Sequence, residues 1–213
     1  MNEPPLKKYS LTVRLLHWLH TIAFIILAIT GMVLAFGGSG QTSLASFHSS
    51  LAHFWIALPV VFLIIRPRTS FRGLGMLCRW GREDLAWLRA APRYYLRRDH
   101  STMPPQGFLN TGQKLWWLVT FVTWLVFSVS GLIKEVFVNH GLSPSTVHTM
   151  TYLHDVAFGV AGVFFLVHAY LGIFHRESLK SMISGTMDAA YARENHGKWY
   201  AETTGKPDGP AGD

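Results

Sequence analysis

The stretch YLHDVAFGVAGVFFLVHAYLGIF, residues 152–174, is almost wholly apolar yet carries one acid, Asp155, and two histidines, His154 and His168. At about 1.5 Å and 100° per residue, the spacing puts His168 about 21 Å along a helix from His154 and about 40° short of four full turns. The two imidazoles therefore share nearly one face at two depths. A single histidine in such a helix reads as a satisfied core residue. Two on one face, a bilayer leaflet apart, read as paired ligand positions.

Three further apolar runs accompany this one, at 15–36, 47–65 and 115–133, while the first extends to 175. Each is close to the roughly 20 residues needed to cross a hydrocarbon core of about 30 Å. The second is the least regular, because it opens on His48 and Ser49 and contains Pro59. With 49% hydrophobic residues, eight Trp and a positive mean hydropathy, the chain reads as an all-α integral membrane protein, one four-helix bundle domain over 1–213.

Charge orients the helices. Of 19 Lys and Arg, only Lys134 lies in the two connections that would share one side, 37–47 and 134–151. The others sit in the N-terminal tail, the 66–114 connection and the C-terminal tail, so the positive-inside rule places both termini and that connection in the cytoplasm. The net charge of +7 is then mainly topology and does not point to nucleic acid. Within 66–114, GREDLAWLRAAPRYYLRR (81–98) alternates large apolar residues with arginines and predicts an interfacial helix against membrane lipid. The segment from Glu202 to Asp213 reads as a disordered tail. The first apolar run is too long for a signal-peptide h-region and no A-x-A site follows it, so no cleavable signal is expected. One cysteine, Cys78, excludes an internal disulfide, an iron–sulfur cluster ligated by this chain alone, and a C-x-x-C-H haem attachment.

Topology also sorts the eleven histidines. His17 lies near the cytoplasmic end of span 1, and His168 about 12 Å from that end of span 4, so the two could share one cofactor. His48 lies about 27 Å up span 2 and His154 about 33 Å up span 4, close enough in level to share another. Two bis-histidine sites stacked through a four-helix bundle are what non-covalent b haems require: two axial imidazoles each, in a dry pocket. Gly159, Gly162 and Gly31 would let a flat macrocycle approach the helices, or serve ordinary small-residue packing. His20, three residues after His17, stays open as an alternative ligand. His53 sits about 20 Å from the cytoplasmic end, which matches neither level. His175 borders Arg176 and reads as snorkelling to the headgroups, and His100, His140, His148 and His196 as solvated loop or tail residues. A zinc site would want three or four converging ligands; HxxH at 17–20 has no acidic residue in its helix to complete it.

Several segments are familiar together: RLLHW (14–18), FHSSLA (47–52), GFLNTGQK (107–114), LHDVAFGVAGVFFLVHAY (153–170) and SLKSMISGTMDAAYARENHGKWY (178–200). Over roughly residues 10–200 the sequence resembles the gamma subunit, the cytochrome b subunit, of respiratory formate dehydrogenases, within the wider group of four-helix dihaem cytochromes b. The resemblance implies His48 and His154 as ligands of a periplasmic-side haem, and His17 and His168 as ligands of a cytoplasmic-side haem. It implies quinone reduction near the latter, with Asn110, Gly112 and Gln113 on the matching segment; Asn and Gln can hydrogen-bond a quinone carbonyl, although Asn110 is also suited to capping the third helix. It implies an iron–sulfur beta subunit as electron donor and, through it, a molybdenum or tungsten alpha subunit that oxidises formate, all in a bacterial inner-membrane respiratory chain. Nothing in this chain would itself bind molybdenum or formate. Ala52 stands where the pattern favours glycine, and Glu194–His196 where it favours a more basic tail. Two other classes follow from the same residues: a cytochrome b serving a hydrogenase or another respiratory oxidoreductase, and a haem-free transporter using histidines to carry protons.

Overall fold

The computed structural model describes residues 3–37, 40–97, 103–138 and 143–207. Four helices are long and apolar enough to cross a membrane: α1 (Leu11–Phe36), α2 (Thr42–Ile65), α5 (Thr111–Val138, of which 111–135 forms the candidate span) and α6 (Pro144–Phe174). Between the second and third spans lie α3 (Pro67–Cys78) and α4 (Arg82–Arg97). After the fourth come α7 (Arg176–Ser184), α8 (Ala189–Asn195) and α9 (Gly197–Thr204), and a short strand β1 (Leu6–Lys7) pairs antiparallel with β2 (Thr186–Met187). The chain forms two compact units, one of residues 12–70 and 119–170, the other of 1–11, 71–118 and 171–213.

The first unit is apolar on its outside. Only 6–17% of each span is buried within the chain. On α1 the exposed large residues include Leu15, Leu19, Ile22, Ile26, Ile29, Val33 and Phe36, at helical spacing, with Leu11, Ile25 and Met32 widening the face. The buried residues of the four spans are instead small or polar, including Ala23, Thr30, Thr123, Ser128, Ser130, Ala157 and Ala161, with Trp55 the one large ring among them. A water-soluble bundle has the reverse arrangement, and hydrocarbon as solvent explains this one. The interior hydroxyls are satisfied on their own helices: Thr123 donates to the Val119 carbonyl at 2.8 Å and Ser128 to that of Trp124 at 2.7 Å.

The second unit is built round a small core of Met187, Ala189, Ala192, Trp199 and Tyr200, packed by Leu6, Phe108 and Tyr191. Its turns explain the 178–200 motif. Gly185 caps α7 at φ 87°, a left-handed conformation that favours glycine, and its carbonyl accepts from the amides of Lys8 and Tyr9 at 2.8 and 3.0 Å. Asp188 caps α8, its carboxylate accepting from the Tyr191 amide at 2.9 Å.

Three sequence expectations change here. His196 is 1% exposed, not solvated: its Nδ1 donates to the Gly107 carbonyl at 2.8 Å and its Nε2 accepts from Lys8 Nζ at 3.1 Å. His148 is exposed but lies within α6, whereas His100 and His140 fall outside the described residues. The chain from Glu202 is helical to Thr204, and Lys206 pairs with Glu3; residues 208–213 lie outside the described residues. Sequence spacing missed the His196–Lys8 and Lys206–Glu3 contacts because the partners are contributed by opposite ends of the chain.

Lys8 itself is 7% exposed, with its ammonium 5.0 Å from the Trp199 ring centroid and 5.6 Å from that of Phe108. Burial pushes its pKa down to about 7. Burial, and then the nearby Lys8 charge, push His196 down to about 3, against the opposing effect of the Gly107 carbonyl. Between about pH 7 and the ordinary lysine value of 10.5 the unfolded chain binds a proton at Lys8 that the folded chain lacks, so folding stability rises with pH across that window. Lys8→Met should flatten this rise and stabilise the unit at pH 7 by on the order of 1 kcal/mol. Hydrogen–deuterium exchange of the 186–200 segment against pH measures it; an unchanged slope would refute the assignment.

Candidate cofactor site

Span α6 lays its two histidines along one side, and the other spans bring partners to both. Near one level the rings of His17 on α1 and His168 on α6 lie 6.3 Å apart, centroid to centroid, inclined by 55°. Trp18 packs edge-on against His17 at 5.0 Å. His20 does not join them: it stacks on Trp55 at 4.5 Å and 25°. One ring lies beside that of His168, and the other is engaged with an indole.

At the other level, His48 on α2 and His154 on α6 lie within electrostatic range of each other and of Lys134. Both are gripped at Nδ1 by a hydroxyl from a neighbouring span: Thr30 Oγ1 lies 2.8 Å from His48, and Ser130 Oγ lies 2.9 Å from His154. The residue after each hydroxyl is glycine. A Cβ on Gly31 would sit 3.4 Å from His48 Cε1, and one on Gly131 would sit 3.8 Å from His154 Cε1. Asp155, the sequence neighbour of His154, is exposed and makes neither contact. His53 points away to pair with Glu135 at 3.2 Å.

Aromatic rings run between the two levels. Phe127 meets His154 edge-on at 4.9 Å and Trp55 at 6.1 Å, and Phe24 lies 6.3 Å from Trp55 and 5.3 Å from Phe165. Trp55, 5% exposed, is the hub.

These residues fit haem. Two imidazole–metal bonds of about 2.0–2.1 Å each, together with the ring half-widths, separate facing centroids by about 6 Å, which is the spacing of His17 and His168. A Cβ added at Gly159 or Gly162 would meet nothing within 4 Å, and Gly159 is exposed, on the side of α6 away from the histidines. Among the described residues no three His, Cys, Asp or Glu side chains converge as a metal cluster.

The NTGQK segment, residues 110–114, does structural work of its own in the second unit. Asn110 Oδ1 accepts from the Gln113 amide at 2.8 Å while Gln113 Oε1 accepts from the Asn110 amide at 3.1 Å, a reciprocal capping box at the start of α5. A Cβ on Gly112 would lie 2.8 Å from Trp87 Cη2, so the indole of α4 requires glycine there. Thr111 donates to Asp84 Oδ1 at 2.8 Å and Lys114 Nζ lies 2.8 Å from the same oxygen, tying α5 to α4. The carbonyl oxygens of Asn110 and Gln113 are therefore engaged, and their NH2 groups are the donors left over. His175 stacks on Tyr94 at 6.2 Å and 12°.

Thr30 and Ser130 were not among the sequence candidates. Their signal was present, since within the four apolar runs a hydroxyl–glycine dipeptide occurs only at 30–31 and 130–131, but its meaning depends on which histidine each one meets. Comparison with known proteins places the chain in a family. The chain is 23% identical over 202 residues to the cytochrome b556(fdo) subunit of formate dehydrogenase from Escherichia coli K12, covering 92% of both chains. It is 25% identical over 199 residues to the nitrate-inducible cytochrome b556(Fdn) subunit of the same organism, covering 89% of this chain and 87% of the relative. It is 21% identical over 217 residues to the formate dehydrogenase cytochrome b556 subunit of Haemophilus influenzae, covering 94% and 84%. Residues 8–185, which include all four histidines of the two levels, match the prokaryotic cytochrome b561 family as a whole, and the chain belongs to that family.

Proposed function

We propose that this chain is the membrane cytochrome b subunit of a respiratory formate dehydrogenase, holding two non-covalent b haems, one between His17 and His168 and one between His48 and His154. The observation that carries the reading is the presence of two histidine pairs at two levels of one four-span unit. Reversible one-electron oxidation is the chemistry that two bound b haems supply. The chain's own residues hold the axial nitrogens in place, line the interior with Ala23, Ala157 and Ala161, and space the two levels with Trp55 and Phe127.

The protein is a multi-pass protein of the bacterial inner membrane. Both termini and the 66–114 connection belong on the cytoplasmic side, for which the distribution of arginine and lysine speaks. Helix α4 suits the membrane interface: Asp84, Trp87 and Ala90 are buried on one side while Leu85, Leu88 and Leu96 are exposed beside its arginines. The electron donor is an iron–sulfur subunit on the periplasmic side, and through it a molybdenum or tungsten subunit that oxidises formate; three relatives named as formate dehydrogenase subunits support that choice. Quinone is reduced on the cytoplasmic side with Asn110, Gly112 and Gln113, where the two free NH2 groups match the carbonyl acceptors of a quinone.

Purification of the complex in mild detergent, with a reduced-minus-oxidised spectrum and a pyridine haemochrome count, tests this. The expected result is two haems b per chain, copurification of iron–sulfur and formate-oxidising subunits, and formate-dependent quinone reduction. A colourless chain would overturn the haem assignment. Copurification with a hydrogenase would keep the haems and change the donor.

A further inference from the structure

We propose that Thr30 and Ser130 are positioning residues for the His48/His154 pair, each accepting the Nδ1–H of its histidine so that Nε2 presents its lone pair to iron. The proposal rests on the haem-ligand reading above. Each hydroxyl has one proton to give. Thr30 Oγ1 donates it to the Ile26 carbonyl at 2.9 Å, with the Leu27 carbonyl at 3.1 Å, and Ser130 Oγ donates it to the Val126 carbonyl at 2.6 Å. With the proton engaged on its own helix, the oxygen meets imidazole as an acceptor, and the nitrogen facing it at 2.8 or 2.9 Å carries the hydrogen. A neutral imidazole protonated at Nδ1 keeps its lone pair at Nε2, the tautomer an axial ligand needs.

The arrangement occurs twice, in two separate helix hairpins. Thr30 and Gly31 of α1 serve His48 of α2; Ser130 and Gly131 of α5 serve His154 of α6. In both, glycine leaves room for Cε1, the carbon between the two ring nitrogens, so hydroxyl and glycine together form a shelf for one edge of the ring. Both hydroxyls are buried, Ser130 at 1% exposure, so water does not compete for the contact. His17, by contrast, has no hydrogen-bond partner at Nδ1 among the described residues.

A hydrogen-bonded N–H makes an imidazole a more basic ligand and favours the ferric ion. In the purified complex, Thr30→Val and Ser130→Ala should each raise the midpoint potential of one of two spectrally resolved haem components and leave the other unchanged, while Thr30→Ser and Ser130→Thr retain wild-type values. Loss of one haem in Thr30→Val, with full haem in Thr30→Ser, supports the proposal equally. Unchanged potentials in both Thr30→Val and Ser130→Ala would overturn it, as would haem loss in Thr30→Ser, because that variant keeps the hydroxyl. A wild-type complex without two haems would refute the ligand reading itself, a failure distinct from these.

Discussion

His168→Ala should reduce the haem b content of the purified complex from two per chain to one and abolish formate-dependent quinone reduction. His168 faces His17 at a ring separation of 6.3 Å, and no other described imidazole is placed to replace it, because His20 is stacked on Trp55 and His175 on Tyr94. The His48/His154 level should survive, since its hydrogen bonds come from Thr30 and Ser130 and share no residue with His168. A haemochrome titration and a low-temperature reduced spectrum separate the two components. Wild-type haem content in this variant would exclude His168 as a ligand.

The second large effect is structural. Asp84→Ala should destabilise the α4–α5 connection by about 3 kcal/mol, because truncating one partner of a buried ion pair leaves the other charge without compensation. Asp84 accepts from Lys114 Nζ and Thr111 Oγ1 at 2.8 Å each and from the Gly81 amide at 2.9 Å, and Thr111 is fully buried. Burial alone would raise the Asp84 carboxyl, but the hydrogen bonds from Lys114, Gly81 and Thr111 and the Lys114 charge together hold it below its ordinary value of 3.8. Its folded pKa is thus the lower one. The stabilisation is fully present above the ordinary carboxylate range and is lost as pH falls below it through the folded value. Faster hydrogen–deuterium exchange across 81–97 and 111–118 in Asp84→Ala is the expected readout; unchanged exchange would show that the pair contributes nothing. Asp84→Asn, which keeps an acceptor without the charge, should fall between the two.

Much of this architecture was legible in the amino-acid sequence because hydrocarbon is a demanding solvent. A backbone crossing it must satisfy its own hydrogen bonds, so four apolar runs of span length become four helices whatever their neighbours do. Histidines 154 and 168 fall on one face of α6 by helical geometry alone, and the charges that flank the spans predict the levels at which His17 and His48 would meet them.

The choice between near neighbours was a different matter. His17 and His20 are both on α1, three residues apart, and only the positions of His168 and Trp55 separate their surroundings. Asn110 and Gln113 read as quinone donors, with Asn110 also suited to capping, and packing shows each side-chain oxygen accepting the other's amide at the start of α5. His196 and Lys8, at opposite ends of the chain, are buried together because β1 pairs with β2. Thr30 and Ser130 acquire meaning only when a histidine from the next helix arrives at its hydroxyl. Periodicity and charge determined the helices and their levels, since both act locally along the chain. Which side chain meets which across the interior is a property of packing, and only the tertiary structure decided it.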